Sequence, residues 1–208
     1  MTTNESFPKF DLPVDFIADD SITGDILNYY GNFPCKIKAG VFVLCTEGMV
    51  RATINLLEIV IRKNDFIVVL PNSFIQIHEV SSDTRISFAG FSSDFMLSGN
   101  YVEILLDFMP MILNSPVISL QEDVAGLYRN VYLLLIRAYT LPHSLENKEI
   151  IRSVLAIFLQ GTKELYKRYG KKLDEPLRRE QELYRQFIQL LMAHYTNCLL
   201  YTSDAADD

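Results

Sequence analysis

The residues able to do chemistry in this 208-residue chain are few. There are three histidines, His78, His143 and His194, and only His78 falls in the β-rich front half. A metal held inside a small antiparallel barrel needs a close pair of imidazoles on alternate strand positions, joined by a carboxylate and a distant histidine. No His-x-His pair occurs, so no metal is expected. Glu47, Glu58 and Glu79 could be paired on paper as general acid and base, but surface strands carry such carboxylates routinely. Gly-x-Ser-x-Gly elbows, glycine-rich phosphate loops and His-Glu-x-x-His helices are all missing from the sequence. The expectation is a protein that binds and does not catalyse, with no cofactor.

Binding chemistry is better represented. In FIQIHE, Phe74, Gln76 and His78 share one face of a strand, while Ile75, Ile77 and Glu79 share the other. Arg51, Thr53 and Asn55 share a face of a preceding strand. Barrel mouths that hold small molecules have apolar walls with a few aimed polar groups. On that pattern Phe74, Gln76, His78, Arg51 and Asn55 are candidate ligand-binding residues inside a barrel. The plainer alternative keeps Arg51 as an edge charge and His78 as a half-exposed strand residue.

These residues must be positioned by the elements around them, and the chain changes texture near residue 96. Before it come short β-rich runs punctuated by turn residues: DILNYY, KIKAGVFVLCT, VRATINLLEIVI, FIVVL, FIQIHEV and TRISFAGF. Their spacing predicts an antiparallel sandwich or small barrel. After it the period becomes helical. EDVAGLYRNVYLLLIRAY and NKEIIRSVLAIFLQGTKELYKRYG predict a helical hairpin, and NYVEILLDFM a shorter helix that Pro110 should end or kink. RREQELYRQFIQLLMAHYT predicts one further helix behind a charged linker. The predicted fold class is α+β: an N-terminal antiparallel β-barrel, a helical hairpin and a C-terminal helix. The predicted divisions are 1–96 for the barrel, 97–172 for the helices, 173–196 for the linker and last helix, and 197–208 for a tail.

LYRNVYLLLIRAY is apolar around much of its circumference. Such a helix is buried on two sides or lies in an oligomer interface. Leu127, Val131, Leu134 and Leu135 are candidate dimerisation residues, and the expectation of a homodimer rests partly on the family resemblance given below.

Composition narrows the partners. Hydrophobic residues make up 49% of the chain and charged ones 22%, enough for a core within a soluble domain. The net charge of −7 disfavours direct contact with naked DNA, which wants a basic surface. Cys35, Cys45 and Cys198 show no Cys-x-x-Cys spacing, as suits a reducing compartment. The polar start MTTNESFPKFDLP lacks a signal-peptide core, and no run reaches the roughly 18 apolar residues of a membrane helix. A cytoplasmic location away from the membrane is expected.

The order of these pieces resembles a known family. Glu47-Gly48, Ile54-Asn55, Asn64-Asp65, the VVLPNS run ending at Ser73, Ser81-Ser82-Asp83 and Gly90-Phe91-Ser92 follow one another as in AraC-type transcriptional regulators, especially the kind common in Bacteroidetes. The F..LL..HY pattern within 178–196 resembles the first helix of that family's DNA-binding part. The resemblance spans roughly residues 20 to 196, as coarse a boundary as such readings allow. It implies a cupin-like barrel that binds a small-molecule effector, a dimer, and DNA contact made only through two helix-turn-helix units. Most of those units are missing after His194, where no Lys or Arg follows. The last twelve residues, NCLLYTSDAADD, leave the family pattern and resemble translated sequencing adaptor, so a non-native tail on a truncated regulator is expected. The alternative is a stand-alone metal-free cupin that binds or isomerises a small molecule.

Overall fold

In the computed structural model the described residues are 9–10, 12, 14–31, 33–97, 101–140, 148–169 and the single positions 179, 183 and 186. The chain forms two compact units, Met1–Gly170 and Lys171–Asp208. In the second unit Arg179, Leu183 and Gln186 are helical and exposed. The rest of the expected C-terminal helix lies outside the described residues, as do His143, His194, Cys198 and the tail at 197–208.

Among the described residues the first unit has ten strands: β1 (Lys9–Phe10), β2 (Phe16–Thr23), β3 (Cys35–Ile37), β4 (Gly40–Glu47), β5 (Met49–Ile54), β6 (Leu57–Arg62), β7 (Asp65–Val69), β8 (Ser73–Val80), β9 (Arg85–Phe91) and β10 (Val117–Ser119). They make two five-stranded sheets, ordered β1-β3-β8-β5-β6 and β10-β7-β4-β9-β2. Every pairing is antiparallel except β1 with β3. Five helices join them: α1 (Gly24–Tyr30), α2 (Ser93–Leu97), α3 (Tyr101–Asn114), α4 (Glu122–Thr140) and α5 (Lys148–Tyr169). This is the expected α+β class, a largely antiparallel two-sheet barrel followed by helices.

Three local expectations are corrected. DILNYY is not a strand: it forms helix α1, which Gly24 lets the chain enter. A Cβ at Gly24 would stand 2.6 Å from the Ser81 carbonyl oxygen, so only glycine permits this approach to the end of β8. Leu27 of α1 then packs on the barrel core. Pro110 does not end α3, which runs on to Asn114. Buried Met109 and Ile112 hold its last turn in place.

The third correction has wider consequences. VRATINLLEIVI is not one run but a hairpin, β5 and β6, turned at Asn55 and Leu56 with φ of 47° and 72°. Two left-handed residues in succession define a tight hairpin turn whose twist matches the flanking strands. Asn55 tolerates that backbone and anchors it. Its Nδ2 donates to Ser73 Oγ at 3.0 Å, and the Phe74 N–H donates to its Oδ1 at 2.9 Å. Leu56 is exposed and has an apolar side chain ill suited to a left-handed backbone. Leu56→Gly is therefore expected to raise stability by about 0.5–1 kcal/mol, read as a higher urea midpoint with unchanged slope.

The molecule has two cores of different chemistry. Inside the barrel, buried Cys45, Val50, Ala52, Ile54, Ile61, Ile67, Val69 and Ile86 form an aliphatic cluster. On the other face of the second sheet, Phe42, Phe66 and Phe91 are fully buried with Tyr132 of α4 and Phe158 of α5. The Phe158 ring lies 4.9 Å from Phe42 and 5.6 Å from both Tyr128 and Tyr132. β7 serves both cores, and all five of its residues are buried, as its continuous apolar run requires.

Helix α4 carries two apolar stripes. Ala125, Tyr128, Tyr132 and Leu135 are buried, at spacings that keep them on one face. Leu127 and Leu134 are 62% and 49% exposed, and half-buried Val131 lies between them. Leu135, expected in a dimer contact, is instead fully buried within its own subunit.

Candidate functional site

The interior of the barrel is the candidate site. Val41, Val43, Ile59, Ile75, Ile77 and Phe88 all pack on the inner cluster, yet each is only half-buried. β4 is the middle strand of the second sheet and β8 the middle strand of the first. A side chain on a middle strand that points inward meets solvent only through the space between the sheets. By contrast Phe42 and Leu44, on the opposite face of β4, are fully buried under the helices. The inner face therefore keeps contact with solvent along part of its length. The other end is closed, where the paired residues Cys45 and Ile86, and Val50 and Ile61, are all buried.

The thiol of the inner cluster is held in an unreactive form. The Cys45 S–H donates to the Glu47 carbonyl at 3.2 Å, and burial pushes the thiol up to about 11, with Asp65 adding to the effect. Such a thiol stays protonated and unreactive at neutral pH. Among the described residues no three His, Cys, Asp or Glu side chains come together as a metal site.

The residues singled out from sequence lie elsewhere. Phe74, Gln76 and His78 were expected inside the barrel, but they point outward from β8, while Ile75 and Ile77 point inward. Strand alternation is obeyed, and the correction is to which face is buried. Two features set it. The turn at Asn55 fixes Ile54 opposite Ile75, so the apolar partners face in together. A bulge then falls where Arg51 pairs Glu79 and Ala52 pairs Ile77, leaving His78 as the extra residue. Glu79, assigned to the isoleucine face, consequently joins the outward one.

That outward face is a solvated polar surface. Thr53 Oγ1 and His78 Nε2 are 2.7 Å apart, and Arg51 reaches Glu58 and Glu79 at 3.3 Å each. Exposed ion pairs of this kind contribute about 0–1 kcal/mol. Lys36 sits over the Phe74 ring at 5.8 Å. Asn55 is spent on the hairpin turn.

One polar cluster escaped the sequence reading and joins the barrel to α4. Asn64, at φ 68°, donates its N–H to the Cys45 carbonyl at 2.8 Å and accepts the Leu120 N–H at 3.0 Å. Its Nδ2 donates to Glu122 Oε2 at 2.7 Å, and Arg129 donates to Glu122 Oε1 at 2.7 Å. The hydrogen bonds from Arg129 and then Asn64 hold the Glu122 carboxyl below its usual range. Next to it, buried Asp65 accepts from the Arg62 N–H at 2.7 Å and from the Ser119 hydroxyl at 2.6 Å. The sequence signal was the Lys63-Asn64-Asp65 turn, which marks a reversal but does not reveal what it grips.

Fold and site together define a class: an α+β chain whose two-sheet barrel encloses an accessible aliphatic interior. No protein-family model and no curated protein matches the chain. Among solved structures it is similar to ToxT from Vibrio cholerae O395 bound to (E)-4-(8-methylnaphthalen-1-yl)but-3-enoic acid, at 13% identity and a TM-score of 0.41. That match covers 82% of this chain and 64% of the other, just under two thirds of it. The AraC-like transcriptional activator CuxR is matched at 10% identity and a TM-score of 0.43, over 74% of this chain and 51% of that one. A putative ethanolamine utilization protein Q from Salmonella typhimurium is matched at 13% identity and a TM-score of 0.26, over 38% and 55%.

Proposed function

We propose that this chain is the ligand-sensing and dimerisation portion of a DNA-binding transcriptional regulator, working in the cytoplasm and not an enzyme. The observation that carries the sensing role is the half-exposed inner face on the middle strands of both sheets, centred on Val43 and Ile77. A barrel filled by its own side chains has no such residues. The regulatory role rests on the sequence resemblance, above all the F..LL..HY pattern within 178–196. Among the described residues no helix is long and apolar enough to cross a membrane.

A ligand can act on such a molecule only by favouring one arrangement over another. Asn64 offers a route for that preference. It hydrogen-bonds the backbone of Cys45, which lines the barrel, and the side chain of Glu122, in the first turn of α4. The other face of α4 presents Leu127, Val131 and Leu134 at the four-then-three spacing of a helix–helix seam, where a second copy of the chain would pack.

Reading the gene in frame through the codon for Thr196 tests the regulatory assignment. Two helix-turn-helix units are expected downstream, and a gene without them would overturn it. The dimer is tested by sedimentation of the Leu127→Lys, Leu134→Lys double variant. Both side chains are already exposed, so folding should hold while association weakens by about 100-fold or more. A wild-type chain that sediments as a monomer would refute the seam.

A further inference from the structure

We propose that the part of the ligand entering the barrel is hydrocarbon, an acyl-type aliphatic chain, and not a sugar, amino acid or nucleotide. The inference rests on the sensing role above and adds the chemistry of what is sensed.

The inward positions supply the argument. Val41, Val43, Ile59, Ile75, Ile77 and Phe88 line the accessible part, and none carries a hydrogen-bonding side chain. Polar groups on inward parity sit at the margins of this wall: Asp19, paired with Phe88 on the edge strand β2, accepts from Ser21 at Oδ1, and the Cys35 thiol lies opposite Ile75 on β3, while those deeper in are engaged. The Cys45 S–H donates to Glu47, Ser73 Oγ accepts from Asn55, and both Asp65 oxygens accept hydrogen bonds. A hydroxyl or amide carried past these margins, between Val43 and Ile77, would lose its water against side chains that offer no hydrogen bond, a penalty incurred once for each such group. A polyhydroxylated ligand would meet it several times over. Aromatic ligands find little to stack on: among the described residues Phe88 is the one ring packed on the inner cluster, whereas the fully buried Phe42, Phe66 and Phe91 face the helices.

The lining also has a shape. Ala52 is paired with Ile59 on one side and Ile77 on the other, so a methyl lies between two large half-exposed side chains. β-Branched neighbours hold their χ1 rotamers stiffly and cover Ala52, which is buried, so the furrow left for a ligand runs between these side chains and the opposite sheet. The opposite wall is Val43 beside Phe88. A flexible chain of methylenes suits a furrow with apolar walls on both sides.

Displacement of fluorescent cis-parinaric acid by octanoate, decanoate and dodecanoate, on the full chain, tests the proposal. Affinity is expected to rise about fourfold per added methylene while the chain still has furrow to fill, roughly 16-fold from octanoate to decanoate. Ala52→Leu should abolish that gain by blocking the furrow. Ile77→Val, which disturbs the fold little, should reduce it. Gln76→Ala, on the outward face, should leave it unchanged. Affinity independent of chain length, or unaffected by both inward substitutions, would overturn the proposal. If sugars or amino acids raise the melting temperature and the alkanoates do not bind, the ligand class is wrong and the sensing role stands. If neither set binds, both fall.

Discussion

Phe158→Ala is expected to cost about 3–5 kcal/mol, enough to leave little of the stability of an ordinary domain. Phe158 is the hub of the layer between the second sheet and the helices. It contacts Phe42 and Phe66 from the sheet and Tyr128 and Tyr132 from α4. Truncating it opens a cavity bounded by four rings that are themselves pinned by strands and helix, so the site collapses poorly. The loss comprises the transfer term and the cavity term, together with the edge-to-face contacts. Urea unfolding followed by circular dichroism measures it. Ile77→Ala should cost much less, because Ile77 is half-exposed and its removal widens a space that is already open. The contrast separates a core that holds the helices on from a lining that can vary with the ligand. Equal costs at the two positions would mean the barrel interior is packed like the aromatic layer.

The same division explains what was legible in the sequence. The extents of α4 and α5 are set by period, and period survives translation into structure, whereas β10 at Val117–Ser119 joins the second sheet from within the stretch assigned to helices. The face of each strand is not set by period, because it depends on where a turn falls. VRATINLLEIVI contains no glycine or proline to announce the Asn55-Leu56 reversal, and Leu56 is a poor residue for φ 72°. Missing that turn removed the register that makes Ile54, Ile75 and Ile77 partners. His78 then looked like an inward residue because its bulge cannot be read from alternation. The attraction of Gln76 and His78 as ligand residues came from chemistry expected of a pocket, whereas the interior here is aliphatic. On α4 the two stripes are one residue out of phase. Leu134 and Leu135 are adjacent in sequence, yet one is exposed and the other is buried against the chain's own core.

Alkaline pH should unfold this protein steeply, with a midpoint near about pH 11 to 12. Three buried tyrosines are responsible. Burial pushes Tyr128 up to about 12, against a smaller opposing influence of the Thr162 hydroxyl. Tyr132 is raised well above the ordinary value by burial, and the nearby Tyr128 adds to the shift. Tyr166, whose hydroxyl donates to the Pro116 carbonyl at 3.1 Å, is raised strongly by burial as well. An unfolded tyrosine ionises near pH 10. Above that value the unfolded chain gives up three protons that the folded chain retains, so stability falls as pH rises. The contribution is whole below about pH 10 and drains by about 4 kcal/mol per pH unit above it. A stability of about 5–10 kcal/mol would thus be exhausted within one to two or so units. Tyrosinate absorption from these side chains should appear together with the loss of helical circular dichroism. Tyr132→Phe supplies the decisive control. Its hydroxyl is buried and meets no acceptor among the described residues, so the substitution should stabilise the fold at neutral pH. It should also reduce the alkaline slope by about a third. A variant that is destabilised at pH 7 and keeps the full slope would show that the Tyr132 hydroxyl is hydrogen-bonded and that its proton is not what the folded state protects.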